Sequence, residues 1–308
     1  MTDTFNFSGV IAPVLTPFGD DGAPDADRFI EHAEWLLDEG CTALAPFGTT
    51  SEANSLGLDE RMELLEDLVD AGIDPAKLMP GTGTCSLTDT VILTEHAVGL
   101  GCGGVLMLPP FYYKNPSDEG LFNYFADVID DVGDDRLRLY LYHIPPIAQV
   151  GFPLKLIERL RTEFPDTVVG LKDSSGDWSN MKAILEAFPG FELFPGAETY
   201  FLDGLRNGAA GVISASANIS ARQLRQLFDN WKGADADKLQ ADISALRKTV
   251  QSFQMIPMMK GLIAHYRKDP TWSEVRPPLT QLAEADMARA IQILAEEHHF
   301  KLEFPAEA

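Results

Sequence analysis

What most constrains this chain is an eightfold alternation of short apolar runs with longer amphipathic ones. Runs rich in aliphatic and β-branched residues fall at 10–16, 42–47, 78–81, 104–108, 138–142, 167–172, 192–194 and 211–215. Interleaved with them, residues 26–39, 59–71, 87–100, 117–132, 153–163, 178–188, 197–207 and 220–231 carry apolar side chains at helical spacing. A helix between two strands returns the chain to the same end of the sheet, so the strands run parallel. Eight such units let the sheet close on itself, and the pattern predicts an α/β fold, a (β/α)8 TIM barrel. The structural rival is an open doubly wound sheet. That fold carries a Gly-rich dinucleotide turn after its first strand, and Thr16-Pro17-Phe18-Gly19 is not one.

Beyond residue 235 the strands stop. Residues 236–253, 256–267 and 284–298 read as three additional helices, with no Pro- or Ser-rich linker before them. The expected organisation is a barrel over 1–234 and a C-terminal helical appendage, 235–308, packed on it.

Charge limits the partners. Lys and Arg number 24 against 47 Asp and Glu, a net charge of −23. Such a surface repels nucleic acid and anionic membrane, so a small anionic substrate must be captured by local donors. Cys41, Cys85 and Cys102 show no C-x-x-C spacing, and reduced thiols in the cytoplasm are the expectation. Residues 1–8 lack the pattern of a secretory leader, and no apolar run reaches the roughly 18 residues of a membrane span.

In a barrel of this kind, chemistry sits at the C-terminal ends of the strands. Lys172 ends the sixth run, and period-2 alternation puts it on one face with Val168 and Gly170. Only a neutral amine attacks a carbonyl. At the ordinary lysine pKa about one amine in 2,500 is neutral at pH 7, so partial desolvation is what a nucleophilic lysine needs. By position alone, an amine left in water is an equal alternative. Tyr142 ends the fifth run, where a phenol can relay protons or simply pack with its hydroxyl wet. The stretch Gly48-Thr49-Thr50-Ser51-Glu52 offers backbone N–H groups and hydroxyls suited to a carboxylate, or forms an ordinary polar turn. The loop 108–114 displays Tyr112 and Tyr113, an aromatic pair that suits an oligomer contact. The six histidines form no H-x-H or H-E-x-x-H pair, so no metal site is expected. Neither a Walker A sequence nor a G-x-S-x-G elbow occurs.

Gly48-Thr49-Thr50-Ser51-Glu52, Tyr142-His143-Ile144-Pro145, Gly170-Leu171-Lys172-Asp173-Ser174-Ser175-Gly176 and Gly211-Val212-Ile213-Ser214 fall in order at successive strand ends. Together they resemble the dihydrodipicolinate synthase / N-acetylneuraminate lyase family over nearly the whole chain. The resemblance implies a class I aldolase-type lyase that needs no cofactor. Lys172 would form a Schiff base with pyruvate or another 2-oxo acid, and Tyr142 would relay protons. Thr49 would hydrogen-bond Tyr142, while Thr50 and the backbone beside Gly48 would bind the carboxylate. Ile213 would line the pocket through its backbone, and Glu198 would match one acid of the pair that sialic acid lyases carry. Tyr113, or Tyr112, would reach into a neighbouring subunit of a homotetramer built from two dimers.

Two departures bear on the substrate. The synthases place an arginine five residues after the tyrosine, where this chain has Ile147; the first acid of the sialic acid lyase pair is replaced by Ala197. An aldehyde is the expected second substrate. The alternatives are a 2-keto-3-deoxy sugar acid dehydratase, dihydrodipicolinate synthase proper, and a non-catalytic 2-oxo acid binding paralogue.

Overall fold

The computed structural model describes residues 6–304. The expected leaderless start rests mainly on residues 1–5, and the expected C-terminal appendage takes in 305–308; both stretches lie outside the described residues. Seven parallel strands form two arcs. One is ordered β2-β1-β7, from β1 (Gly9–Ala12), β2 (Ala43–Leu44) and β7 (Gly211–Ile213). The other is ordered β3-β4-β5-β6, from β3 (Val105–Met107), β4 (Leu139–His143), β5 (Val168–Asp173) and β6 (Glu192–Pro195).

Residues 78–81, the third of the eight predicted runs, join the arcs through single bridges. Leu78 pairs with Leu44 and Gly81 with Leu106. On the far side the Ala210 N–H donates to the Leu193 carbonyl at 3.0 Å. The ring is therefore closed, and the protein is a TIM barrel.

Around it run α1 (Ala26–Asp38), α2 (Leu58–Asp70), α3 (Leu87–Gly99), α4 (Asp118–Val132), the one-turn α5 (Pro145–Ala148), α6 (Leu154–Glu163), α7 (Trp178–Ala187), α8 (Phe201–Arg206) and α9 (Ala217–Asn230). Starts are set by local chemistry: Asp25, Ser86, Ser117 and Asp177 each accept a first-turn N–H, as N-caps do. Three helices follow, α10 (Ala236–Gln251), α11 (Met255–Arg267) and α12 (Glu284–His298). Among the described residues no helix is long and apolar enough to cross a membrane.

Alternation along the strands divides the core in two. In β4, Leu139 and Leu141 pack outward against the helices, while Tyr140 and Tyr142 fill the barrel with Ile11, Met79, Phe194 and Ile213. In β5 the expected parity needs correction. Leu139 pairs with Val168 but Tyr140 pairs with Gly170, so Val169 is an extra residue in the ladder. This irregularity turns Val168 outward and Val169 inward, and restores the expected facing from Gly170 onward.

Other boundaries shift for identifiable reasons. The first strand stops at Ala12 because Pro13 has no N–H to give the ladder. The segment 197–207 is a 3-10 turn leading into α8, and α9 begins three residues early with a kink at Ser220. The one-turn α5, which begins at Pro145, has no counterpart among the predicted helices.

Candidate active site

The centre of the site is set by β4 and β5. Their register puts Tyr142 directly opposite Lys172. The Lys172 Nζ lies 4.2 Å from the centroid of the Tyr142 ring, and each residue is only 4% exposed. One layer below, a Cβ on Gly170 would fall 2.4 Å from the Tyr140 ring, so only glycine lets that ring cross under the lysine. The Tyr140 hydroxyl is fixed by donating to Glu192 Oε2 at 2.6 Å.

The Tyr142 hydroxyl stands 3.4 Å from Thr49 Oγ1. Burial pushes the phenol's pKa up. The positive charge of Lys172 and hydrogen bonds from Thr49, Lys172 and Ser174 outweigh this, and hold it below the ordinary tyrosine value. Behind the pair, Asp173 accepts from the Ser175 N–H at 2.8 Å and from Asn180 Nδ2 at 2.7 Å. His143 accepts the Phe152 N–H on Nδ1 at 3.0 Å, and burial lowers its pKa despite nearby Asp173. These bonds fix the ends of both strands.

The Thr49–Thr50 loop is framed by two residues in the left-handed region, Phe47 at φ 61° and Glu52 at φ 56°. Side chains of this size rarely adopt that conformation, so the surroundings must impose it. Several do. Gly81 packs so tightly that a Cβ would fall 2.2 Å from the Phe47 carbonyl oxygen. Ser51 Oγ donates to the Val14 carbonyl, and Thr16 Oγ1 donates to the Ser51 carbonyl at 2.8 Å. Glu52 accepts from Lys260 Nζ at 2.6 Å and from the Arg276 N–H at 3.0 Å. The N–H groups of Ser51, Glu52 and Ala53 close the turn onto Gly48 and Thr49. Those of Thr49 and Thr50 carry no hydrogen bond among the described residues, which leaves two donors side by side.

A cavity of about 530 Å³ opens over these groups, lined by Thr49, Thr50, Tyr142 and Lys172 near its floor and by Ile147 and Arg247 among others farther out. That volume suits a small metabolite. The sequence-derived site residues divide accordingly. Lys172, Tyr142, Thr49 and Thr50 converge on it. Gly48 and Ile213 do not line it; Gly48 begins the threonine turn, and Ile213 is enclosed in the barrel interior. Glu198 is also off the cavity wall, its carboxylate accepting from Ser214 Oγ, Ser216 Oγ and Arg247 Nη1. Tyr112 and Tyr113 stand 74% and 78% exposed, edge to face with each other at 5.3 Å and away from the cavity. Among the described residues no group of three or more His, Cys, Asp or Glu could hold a metal ion.

Arg247 is a site residue that the strand-end pattern does not reach. It reaches the cavity from α10, the first of the three helices that follow the barrel strands and their helices. Its signal lay in the sequence: Ile243, Leu246 and Val250 mark the buried stripe of that helix, and Arg247 falls within it.

The dihydrodipicolinate synthetase family matches residues 6–297. The chain belongs to that family. This dihydrodipicolinate synthetase family member is a lyase, as its relatives are. It is 33% identical to a DapA-like lyase of Chloroflexus aurantiacus over 282 residues, 91% of this chain and 93% of the other. It is 31% identical to the 4-hydroxy-tetrahydrodipicolinate synthase of Rhizobium meliloti over 250 residues, 79% of this chain and 83% of that one. Its fold superimposes on dihydrodipicolinate synthase from Agrobacterium tumefaciens with a TM-score of 0.87 at 33% identity, covering 94% of this chain and 99% of that chain.

Proposed function

We propose that this lyase forms a Schiff base between Lys172 and the C2 carbonyl of pyruvate or a related 2-oxo acid, and makes or breaks a carbon–carbon bond to an aldehyde. The observation that carries the reading is the enclosed Lys172–Tyr142 pair, 4.2 Å from amine to ring centroid, with Thr49 at the phenol. Thr50 and the free N–H groups of the turn take the carboxylate, which aims C2 at the amine.

The amine adds to C2 and gives a carbinolamine. Tyr142 passes a proton to its hydroxyl, water leaves, and a protonated imine remains. That cation accepts the electron pair of the C3–C4 bond as the bond breaks, while Tyr142, having given up its proton, takes the proton of the C4 hydroxyl. The products are an enamine on Lys172 and an aldehyde. A proton added at C3 and water added at C2 then release pyruvate and the free amine. Condensation is the same path reversed. The exposed Tyr112–Tyr113 pair supports a homotetramer in which one tyrosine enters a neighbouring site. The three free thiols support a cytoplasmic protein.

Ile147 lines the cavity, and from that position an apolar side chain cannot bind a carboxylate as the synthases' guanidinium does. Dihydrodipicolinate synthesis is therefore not the proposed reaction. The test offers pyruvate with a panel of aldehydes, and separately 2-keto-3-deoxy acids, with products read by mass spectrometry. Aldol products, or cleavage to pyruvate and an aldehyde, are expected. Loss of water with the carbon skeleton intact assigns a dehydratase instead. Binding without turnover assigns a paralogue that only binds.

A further inference from the structure

We infer that Arg247 anchors a second anionic group, a carboxylate at the end of the substrate remote from C2; this rests on the reading that Lys172 holds the 2-oxo group. Arg247 is 6% exposed, yet it lines the cavity. Lys172 and Arg247 are the only basic residues among those lining it.

The guanidinium is held from one side only. Its Nη1 donates to Ser214 Oγ at 3.0 Å, to Glu198 Oε2 at 3.2 Å and to Ser216 Oγ at 3.3 Å. Ser214 and Ser216 donate in turn to the Glu198 carboxylate. This network orients the arginine and uses one nitrogen. The Nε–H is buried without a partner, and Nη2 makes no hydrogen bond to any described residue. Nε and Nη2 together form the edge whose two parallel N–H groups a carboxylate spans. The buried Nε–H left without a partner is costly, and Nη2 beside it, which is neither buried nor hydrogen-bonded to a described residue, is left open to a ligand.

The surroundings favour an anion as the occupant. Glu198 offsets part of the arginine's charge but cannot reach the free edge, which Nη1 separates from it. The wall elsewhere is largely apolar, with Ile147, Met181, Met255, Ile256 and Pro257. In a chain of net charge −23, capture of a dianionic substrate falls to local donors, and Arg247 is the positively charged one at that end of the cavity. Ile147 leaves the position of the synthase arginine empty of charge, so the second carboxylate would be held from α10 instead.

The test compares two six-carbon acids, 2-oxoadipate and 2-oxohexanoate, that differ only in the distal carboxylate. Each is titrated in borohydride trapping at Lys172 on the intact protein, with pyruvate alongside. Half-maximal trapping of the diacid is expected at a concentration at least about tenfold below that of the monoacid. In Arg247→Gln the ratio should fall to near one. Arg247→Lys, which keeps the charge without the planar edge, should fall between. Equal concentrations in the unaltered protein overturn the inference while leaving pyruvate trapping and the lysine chemistry intact, and this holds even if a variant fails to fold. An unchanged preference in folded Arg247→Gln overturns it as well. Absence of trapping with all three acids overturns the lysine chemistry, and this inference with it.

Discussion

Tyr142 and Lys172 are cross-strand partners in β4 and β5, and their side chains meet with the amine 4.2 Å from the ring centroid. The lysine's charge is what holds the phenol's pKa down against burial. Removing the charge while keeping the burial should reverse the shift. The tyrosinate absorbance of the protein minus that of Tyr142→Phe should titrate below the ordinary phenol value of about 10. On a Lys172→Met background the same difference should titrate above it. Equal midpoints on the two backgrounds would show that the two groups do not interact.

Proton relay by Tyr142 has a kinetic consequence. Formation of the enamine from pyruvate exchanges its methyl protons with solvent, which NMR follows in deuterium oxide without any aldehyde. Tyr142→Phe should slow this exchange by about 10²- to 10⁴-fold. A loss of less than threefold would remove the phenol from the mechanism.

Glu52 and Lys260 tie the threonine loop to α11 through a pair whose side chains are 1% and 0% exposed. Burial lowers the lysine's pKa to about 8 even with the carboxylate beside it. Lys260→Met strands the carboxylate and should cost about 3–5 kcal/mol in urea unfolding. Glu52→Gln combined with Lys260→Met should recover much of it. The double variant should still lose affinity for pyruvate, because the loop is no longer pinned in its left-handed turn. If Lys260→Met matches the unaltered protein in both measurements, the appendage does not brace the site.

His32 is fully buried and carries a pKa of about 3, lowered first by burial and further by Arg267, with the Asn218 hydrogen bond opposing. Its folded value lies below the unfolded value of about 6.5, so its contribution is complete above pH 6.5 and is lost as pH falls toward 3. Between pH 6.5 and 5 the loss should reach about 2 kcal/mol. Urea melts of the protein and of His32→Phe across that window should differ in slope by this amount. Parallel slopes would mean that the imidazole takes up its proton as readily in the folded state as in the unfolded one.

Gly170→Ala puts a methyl group 2.4 Å from the Tyr140 ring. The ring must move, and Lys172 sits one layer above it. A stability loss of about 1–3 kcal/mol is expected, with weaker pyruvate trapping. Calorimetry and trapping together check both effects.

The strand ends were legible because a barrel puts chemistry at one known rim, and two-residue periodicity then selects Tyr142 and Lys172. The facing of Val168 was not, since it depends on an extra residue in the β5 ladder that pairing with β4 alone reveals. The third strand showed in sequence as a run but forms only single bridges in space. Glu52 and Lys260 lie 208 residues apart, and local pattern is silent about such pairs. Arg247 shows as a charge within an apolar stripe, but only the packing of α10 in space brings it to the cavity.

The central claim is tested most directly by reducing the protein with borohydride in the presence of pyruvate and mapping the peptides by mass spectrometry. A reduced pyruvyl group on the peptide containing Lys172, absent without pyruvate and absent in Lys172→Met, is the expected result. An unmodified Lys172 under conditions that label another lyase of the family, or a modification at a different lysine, would contradict it.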